Sequence, residues 1–248
     1  MMNCIKSKIS FLGANLDANT MAESVSIIEH SLKKQEFLQH SVVNVAKLVN
    51  MQADPVLATS VNACDVINID GMGVVLGARF CGHEVPERVA GVDLFHNLLA
   101  MSAKQDFPVF LLGAEEAIVE KTAKTVKSLY PQLKVSGYYH GYFWDDEQAV
   151  VDKIKASGAK LLFVAITSPK KENFINKWQD QLGVDFVMGV GGTFDVVAGK
   201  VKRAPLWMQK YGLEWLFRVI QEPRRMWKRY LVTNSKFAWL VLKEKFRG

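Results

Sequence analysis

Apolar residues along this 248-residue chain fall into two alternating patterns. Short, nearly continuous apolar runs read as strands: residues 7–12, 41–45, 65–70, 108–112, 134–139, 160–166 and 185–190. The runs at 108–112 (PVFLL) and 160–166 (KLLFVAI) have the unbroken character of strands covered on both faces. Between them the apolar positions move to helical spacing. Helices are predicted over 21–32, after the Asn19-Thr20 cap signal, through Lys47, Leu48 and Met51, and from Pro55, a residue tolerated in a first turn. Further helices are predicted over 73–80, 92–103, 115–129, 145–156 and 171–179. Strands and helices alternate at roughly 25–30-residue intervals, which predicts an α/β fold with a mostly parallel, doubly wound sheet flanked by helices.

The pattern changes after about Lys200. Leu213, Leu216, Phe217 and Ile220 stand at i, i+3, i+4 and i+7, an amphipathic helix over 212–221 that Pro223 ends. A second helix over 224–242 is expected to carry Trp227, Tyr230, Leu231, Phe237 and Val241 on one side, with Arg224, Arg225, Lys228 and Arg229 nearby. Four of the six tryptophans (Trp207, Trp215, Trp227, Trp239) lie in this tail. Charge is divided the same way. Residues 202–248 hold twelve of the 31 Lys/Arg and three of the 25 Asp/Glu, whereas the rest of the chain is mildly acidic. Tryptophan and cations on a helix too polar to span a bilayer suggest an anionic membrane surface. The alternative is that the apolar stripe packs on the body or on a second copy in a homo-oligomer. No nucleic-acid-binding motif accompanies the charge, so nucleic acid is not an expected partner. The N-terminus lacks a secretory pattern and no apolar run is long enough to span, which suggests a cytoplasmic protein. Cys4, Cys64 and Cys81 are odd in number and form no C-x-x-C, so they read as small apolar residues rather than a disulfide framework or a zinc site.

Candidate chemistry concentrates in Asp65 to Gly91. The 65–70 strand ends in Asp70-Gly71-Met72-Gly73, after which helical spacing begins. A carboxylate at the carboxyl end of a parallel strand, followed by glycines and a helix N-terminus, is where open α/β sheets bind ligands, phosphates among them. The plainer reading is that Asp70 caps the helix. Leu76 stands where a dinucleotide fingerprint needs its third glycine, no P-loop occurs, and the histidines show no metal-ligand spacing. No Asp-x-Asp is present to hold a divalent ion on a nucleotide-sugar, so tail cations would have to stabilise a leaving diphosphate.

Asp70-Gly71-x-Gly73, PERVAGVDL (86–94), FLLGA (110–114), HGYF (140–143), SPKKE (168–172), GVGGTFDVVAGKVKRAP (189–205) and LEWLFRVIQEPRRMWKRYL (213–231) occur in that order. Together they resemble the WecG/TagA/CpsF family of bacterial glycosyltransferases. The resemblance implies a Rossmann-like core over 1–202 and a basic, amphipathic appendage over 203–248 that meets the membrane and completes the site. It implies an inverting, metal-independent transferase that uses no cofactor. The enzyme would move a sugar from a UDP-sugar donor to a polyprenyl-diphosphate-linked sugar acceptor, peripherally on the inner face of the cytoplasmic membrane, in surface polysaccharide synthesis.

By the same resemblance Asp70 matches the general base, Arg88 the arginine of the ERVAG block, and Arg218, Arg225 and Lys228 the cations that reach the diphosphate. Asn44 matches an asparagine of the acceptor pocket and Asp195 a residue near the nucleotide. The UDP-sugar is expected near Gly113, Gly141, Tyr142, Gly191 and Asp195. Val42 stands where the family often has threonine, and Lys171 where it often has glutamine. Both changes are expected in one pocket, where losing a hydroxyl and gaining a cation would alter the choice of sugar among N-acetylmannosamine, its uronic acid, glucose, galactose and glucuronic acid. The competing functional reading is a non-catalytic scaffold that binds nucleotide-sugar or lipid carrier.

Overall fold

The computed structural model describes residues 8–246, without the side chain of Arg225. Cys4 and residue 7 of the predicted first strand lie outside the described residues. The chain opens with a hairpin, β1 (Ile9–Phe11) and β2 (Ala14–Leu16), turned at Leu12 and Gly13, which both take positive φ. Two consecutive positive φ angles give a turn whose twist matches that of the strands it joins. Asp17 then hooks the hairpin to the main sheet. Its N–H donates to the Ile67 carbonyl at 2.8 Å, and its carboxylate accepts from the Ile67 N–H at 2.7 Å.

The core follows as α1 (Met21–Lys34), β3 (Leu38–Val43), α2 (Val45–Met51), α3 (Pro55–Asn62), β4 (Val66–Ile69), α4 (Met72–Phe80), α5 (Gly91–Gln105), β5 (Val109–Gly113), α6 (Glu116–Leu129) and β6 (Val135–Tyr139). It continues through α7 (Glu147–Ala156), β7 (Leu161–Ala165), α8 (Lys170–Trp178), β8 (Phe186–Gly189) and α9 (Thr193–Val197). Local chemistry explains the helix starts. Thr20 and Glu23 form a reciprocal capping box on α1, and Asp54 caps α3 with Pro55 in its first turn. β3 begins three residues before the sequence pattern indicates. Its Gln39 and His40 are polar yet buried, because Gln39 bonds Asn176 and His40 bonds Asn68, each at 2.9 Å.

Six strands form one parallel sheet in the order β4-β3-β8-β7-β5-β6, the expected Rossmann-like α/β architecture. Alternate side chains serve opposite faces. Leu111, Phe163 and Met188 pack under α1, α5 and α6, while Leu112, Val164 and Val187 pack under α7 and α8. β3 and β8 are neighbours in the sheet but leave its carboxyl edge in opposite directions. α2 follows β3 on one face, and α9 follows β8 on the other, with Phe194 buried beside Phe95. A crevice opens where neighbouring strands part in this way.

The tail forms α10 (Leu206–Lys210), α11 (Glu214–Gln221) and α12 (Pro223–Lys245). Pro223 opens α12 as well as closing α11, since a proline at the first helical position gives up no hydrogen bond. The single apolar stripe expected on α12 is divided. Phe237 and Val241 turn inward against α4, where the missing Cβ of Gly77 would stand 3.0 Å from Phe237 and 3.1 Å from Val241. Burying those two side chains is worth about 1.5–3 kcal/mol each. Trp227 and Leu231 face outward.

Candidate active site

Asp70 follows β4, and its N–H donates to the Val43 carbonyl at 2.8 Å, which fixes the residue at the carboxyl edge of the sheet. It does not cap α4. The N-cap is Gly71, at φ +136, with no side-chain cap bond, so the plainer sequence reading of Asp70 is overturned. The carboxylate instead faces the N-terminus of α5. Its Oδ2 lies 3.5 Å from where a Cβ on Gly91 would stand, and Val42 is equally close to that point. The Gly91 amide at that helix start hydrogen-bonds the carboxylate.

Asp70 lines an open cleft whose other walls are Lys202, Arg203, Glu214, Phe217 and Arg218. Three ion pairs, made by Arg88 and Arg203, hold these walls. Arg88 Nη1 donates to Glu214 Oε2 at 2.6 Å. Arg203 chelates Asp93 at 2.5 and 2.8 Å and places its Nε 3.6 Å from Glu214 Oε1. Burial raises the Asp70 carboxyl above the ordinary carboxylate range. Arg88, the Gly91 amide and Arg218 pull it down, and Glu214 pushes it up. A partly accessible carboxylate of raised basicity, beside a helix N-terminus and several cations, can accept a proton while anions are held nearby.

The model of the glycosyl transferase WecG/TagA/CpsF family matches residues 9–248. The chain belongs to that family. It is therefore a glycosyltransferase. It is 38% identical over 176 residues to an N-acetylglucosaminyldiphosphoundecaprenol N-acetyl-beta-D-mannosaminyltransferase of Bacillus subtilis, over 71% of this chain and 68% of that protein. It is 37% identical over 184 residues to a protein of the same name from Bacillus spizizenii, over 74% of this chain and 70% of that protein.

The transferase brings some of the residues indicated by its sequence together and separates others. Asp70, Arg88 (through Glu214) and Arg218 meet at the cleft. Asn44 lies beside it, with its Cβ 3.6 Å from where a Cβ on Gly71 would be, while its side chain caps α2 through the Lys47 N–H at 3.0 Å. Gly113 and Gly141 stand together along the same edge. Gly113 takes φ +120 with the Ala165 carbonyl 2.4 Å from its absent Cβ, and Gly141 N–H donates to the Ala114 carbonyl at 2.8 Å. Tyr142 follows, 69% exposed. Gly191 leaves β8 at φ +53 into open space, and Asp195 in α9 pairs with Lys200 at 3.7 Å. Lys228 is exposed on α12 and does not line the cleft. Arg225 belongs to α12, and its side chain lies outside the described residues.

Val42 and Lys171 do not share a pocket. Val42 packs toward α5, whereas its neighbour Ser41 accepts from Lys47 at 3.1 Å on the opposite face. Lys171 is sealed on that second face. Its Nζ is 3.3 Å from Glu172 Oε1, and Lys47 Nζ reaches the same oxygen at 3.0 Å. Successive strand residues point to opposite faces, which motif positions alone do not display. The sequence reading also passed over Glu214, Arg203 and Asp93. The signal for Glu214 was its rarity, as one of three acids among twelve cations in the tail.

Proposed function

We propose that this transferase moves a sugar from a UDP-sugar to a polyprenyl-diphosphate-linked sugar by single displacement with inversion, Asp70 acting as general base. The observation that carries this reading is the cleft itself, where Asp70 shares walls with Arg203 and Arg218. A sugar hydroxyl is a poor nucleophile, and a carboxylate within hydrogen-bond reach takes its proton as the new C–O bond forms. The UDP leaves from the opposite face of the anomeric carbon. Its nucleotide is assigned to the edge formed by Gly113, Gly141, Tyr142, Gly191 and Asp195. Among the described residues no group of three His, Cys, Asp or Glu is arranged to hold a metal ion. We assign the charge of the leaving diphosphate first to Arg218, which lines the cleft; Arg88, Arg225 and Lys228 are the further cations the family resemblance names.

We assign residues 1–202 to the catalytic core and 203–248 to an appendage that docks on anionic lipid at the inner face of the cytoplasmic membrane. Leu206, Trp207, Tyr211, Ile220, Trp227, Leu231 and Trp239 are exposed there among the tail cations. Each cation near such a surface adds about 1 kcal/mol. Among the described residues no helix is long and apolar enough to cross a membrane.

The names of the relatives supply the first substrates to test: a short-chain polyprenyl-diphosphate N-acetylglucosamine acceptor and a UDP-N-acetylmannosamine donor, within a panel of UDP-sugars. The reading expects acceptor-dependent UDP release that persists in EDTA and is lost in Asp70→Asn. Turnover by a folded Asp70→Asn protein at the parent rate would remove Asp70 from the mechanism.

A further inference from the structure

The cleft contains one carboxylate that the transfer scheme leaves idle. Glu214, in the first turn of α11, reaches into it and takes the Arg88 guanidinium at 2.6 Å, with Arg203 Nε at 3.6 Å on its other oxygen. Arg88 is largely withdrawn from water, its side chain 10% exposed. Its charge acts on Asp70, yet among the described residues no ion pair within 4 Å joins the two. The close partner of Arg88 is Glu214.

That choice of partner matters for proton transfer. An arginine in direct contact with a carboxylate stabilises its ionised form and makes it a weak base. A buried guanidinium deprived of one carboxylate moves to the next one within reach, because an unpaired buried charge is costly. Resting on the reading of Asp70 as the base, we propose that Glu214 is a positioning residue of the transfer: it anchors Arg88 away from Asp70 and so preserves Asp70 as a proton acceptor. The surroundings make the assignment specific. Arg88 approaches from the loop before α5, the Gly91 amide from α5 itself, Lys202 and Arg203 from the segment after α9, and Glu214 and Arg218 from α11. Asp93, the other acid nearby, is chelated by Arg203. Glu214 is thus the acid that both touches Arg88 and raises the basicity of Asp70.

Three variants of the full chain test this. Glu214→Gln keeps an acceptor for Arg88 and removes the charge, Glu214→Ala removes both, and Glu214→Asp restores the charge on a shorter arm. Two measurements are made on each: kcat/KM for UDP release against pH, and the carboxyl carbon-13 titration of Asp70 in ligand-free protein, assigned by its loss in Asp70→Asn. In Glu214→Gln the acidic limb and the Asp70 titration are expected to move together to lower pH by about 0.5–1 unit. The rate on the plateau falls about twofold to threefold as the base weakens. Glu214→Ala shifts further, and Glu214→Asp recovers most of the parent profile. If both titration and acidic limb stay in place in Glu214→Gln and Glu214→Ala, Glu214 is only a structural link and the proposal fails, whatever happens to thermal stability. The titration needs no turnover, so it remains readable in a variant with little activity. Failure of the underlying reading shows differently, as parent-like turnover in Asp70→Asn.

Discussion

Two charge clusters sit at the carboxyl edge of the same sheet, on opposite faces. In the first, Asp70, Glu214 and Arg203 line an open cleft, and Arg88 backs it through its ion pair with Glu214. In the second, Lys47, Glu172 and Lys171 are closed in by α2, α8 and β8, with side-chain exposures of 10%, 3% and 8%. The Lys171 stem lies across Gly189, where a Cβ would come within 2.4 Å of it. Burial pushes the Glu172 carboxyl up, but Lys171 and Lys47 outweigh it and bring the group to about 2. Burial, with Lys47 adding to it, lowers Lys171 to about 8. The open cluster does the reverse to its carboxylate, since burial of Asp70 prevails over the Gly91 amide bond and over cations that make no ion pair with it. Similar residue types therefore diverge by contact. Closed pairing fixes a carboxylate in its ionised form, whereas cations held a little apart leave a usable base.

The largest effects should separate the two clusters cleanly. Asp70→Asn is expected to lower turnover by about 10²–10⁴-fold while leaving the unfolding midpoint close to the parent. Glu172→Ala is expected to do the opposite. Removing it leaves two buried ammonium groups without a counter-charge, at a cost of about 3–5 kcal/mol in unfolding free energy, measured in urea. The folded fraction should keep its kcat. If Glu172→Ala abolishes turnover at unchanged stability, the sealed cluster is part of the site and the contrast fails.

This contrast also marks how far the sequence could be read. Parallel strands such as PVFLL and KLLFVAI announce themselves, because burial on both faces demands unbroken apolar runs. The strand start at Leu38 stayed hidden, since Gln39 and His40 are made compatible with burial by Asn176 and Asn68, more than a hundred and nearly thirty residues away. β2 and α9 escaped notice because three and five residues carry too little periodicity. Asp70 was legible from its place between an apolar run and two glycines. Its basicity was not, because that depends first on burial, and then on the opposing charges of Arg88, Glu214 and Arg218, all of which are set only by the folded chain. The placement of Lys171 and Val42 in one pocket failed for a similar reason, as motif positions do not tell which face of a sheet a side chain serves.

Acid titration gives a smaller test of the sealed cluster. The folded value for Glu172 lies below its ordinary 4.5, at about 2. The unfolded state therefore binds the proton first, and the contribution of Glu172 is fully present above about pH 4.5 and lost as pH falls toward 2. Urea unfolding between pH 5 and 2.5 should steepen its decline through this window in the parent, and Glu172→Gln should flatten it. Equal slopes in the two proteins would show that the lysines do not hold the carboxylate.

The smallest expected effect falls on Lys171, and its sign is informative. Its folded value, about 8, lies below the ordinary 10.5, so the folded state releases this proton before the unfolded state does. Holding Lys171 charged thus opposes folding, fully below pH 8, and the opposition fades as pH rises toward 10.5. Lys171→Gln removes that burden and leaves Lys47 to neutralise Glu172 at 3.0 Å. At pH 7 the exchange should change unfolding free energy by less than about 1.5 kcal/mol, in either direction, because a buried ion is often replaced by a neutral side chain of similar volume at little cost. The rise in stability between pH 8 and 10 should shrink in the variant. The same protein tests donor choice: with Lys171 sealed away from the cleft, the ranking of a UDP-sugar panel should match that of the parent. A reordered ranking would mean that the charge of the closed cluster reaches the sugar through the sheet edge, and the two clusters would then have to be treated as one site.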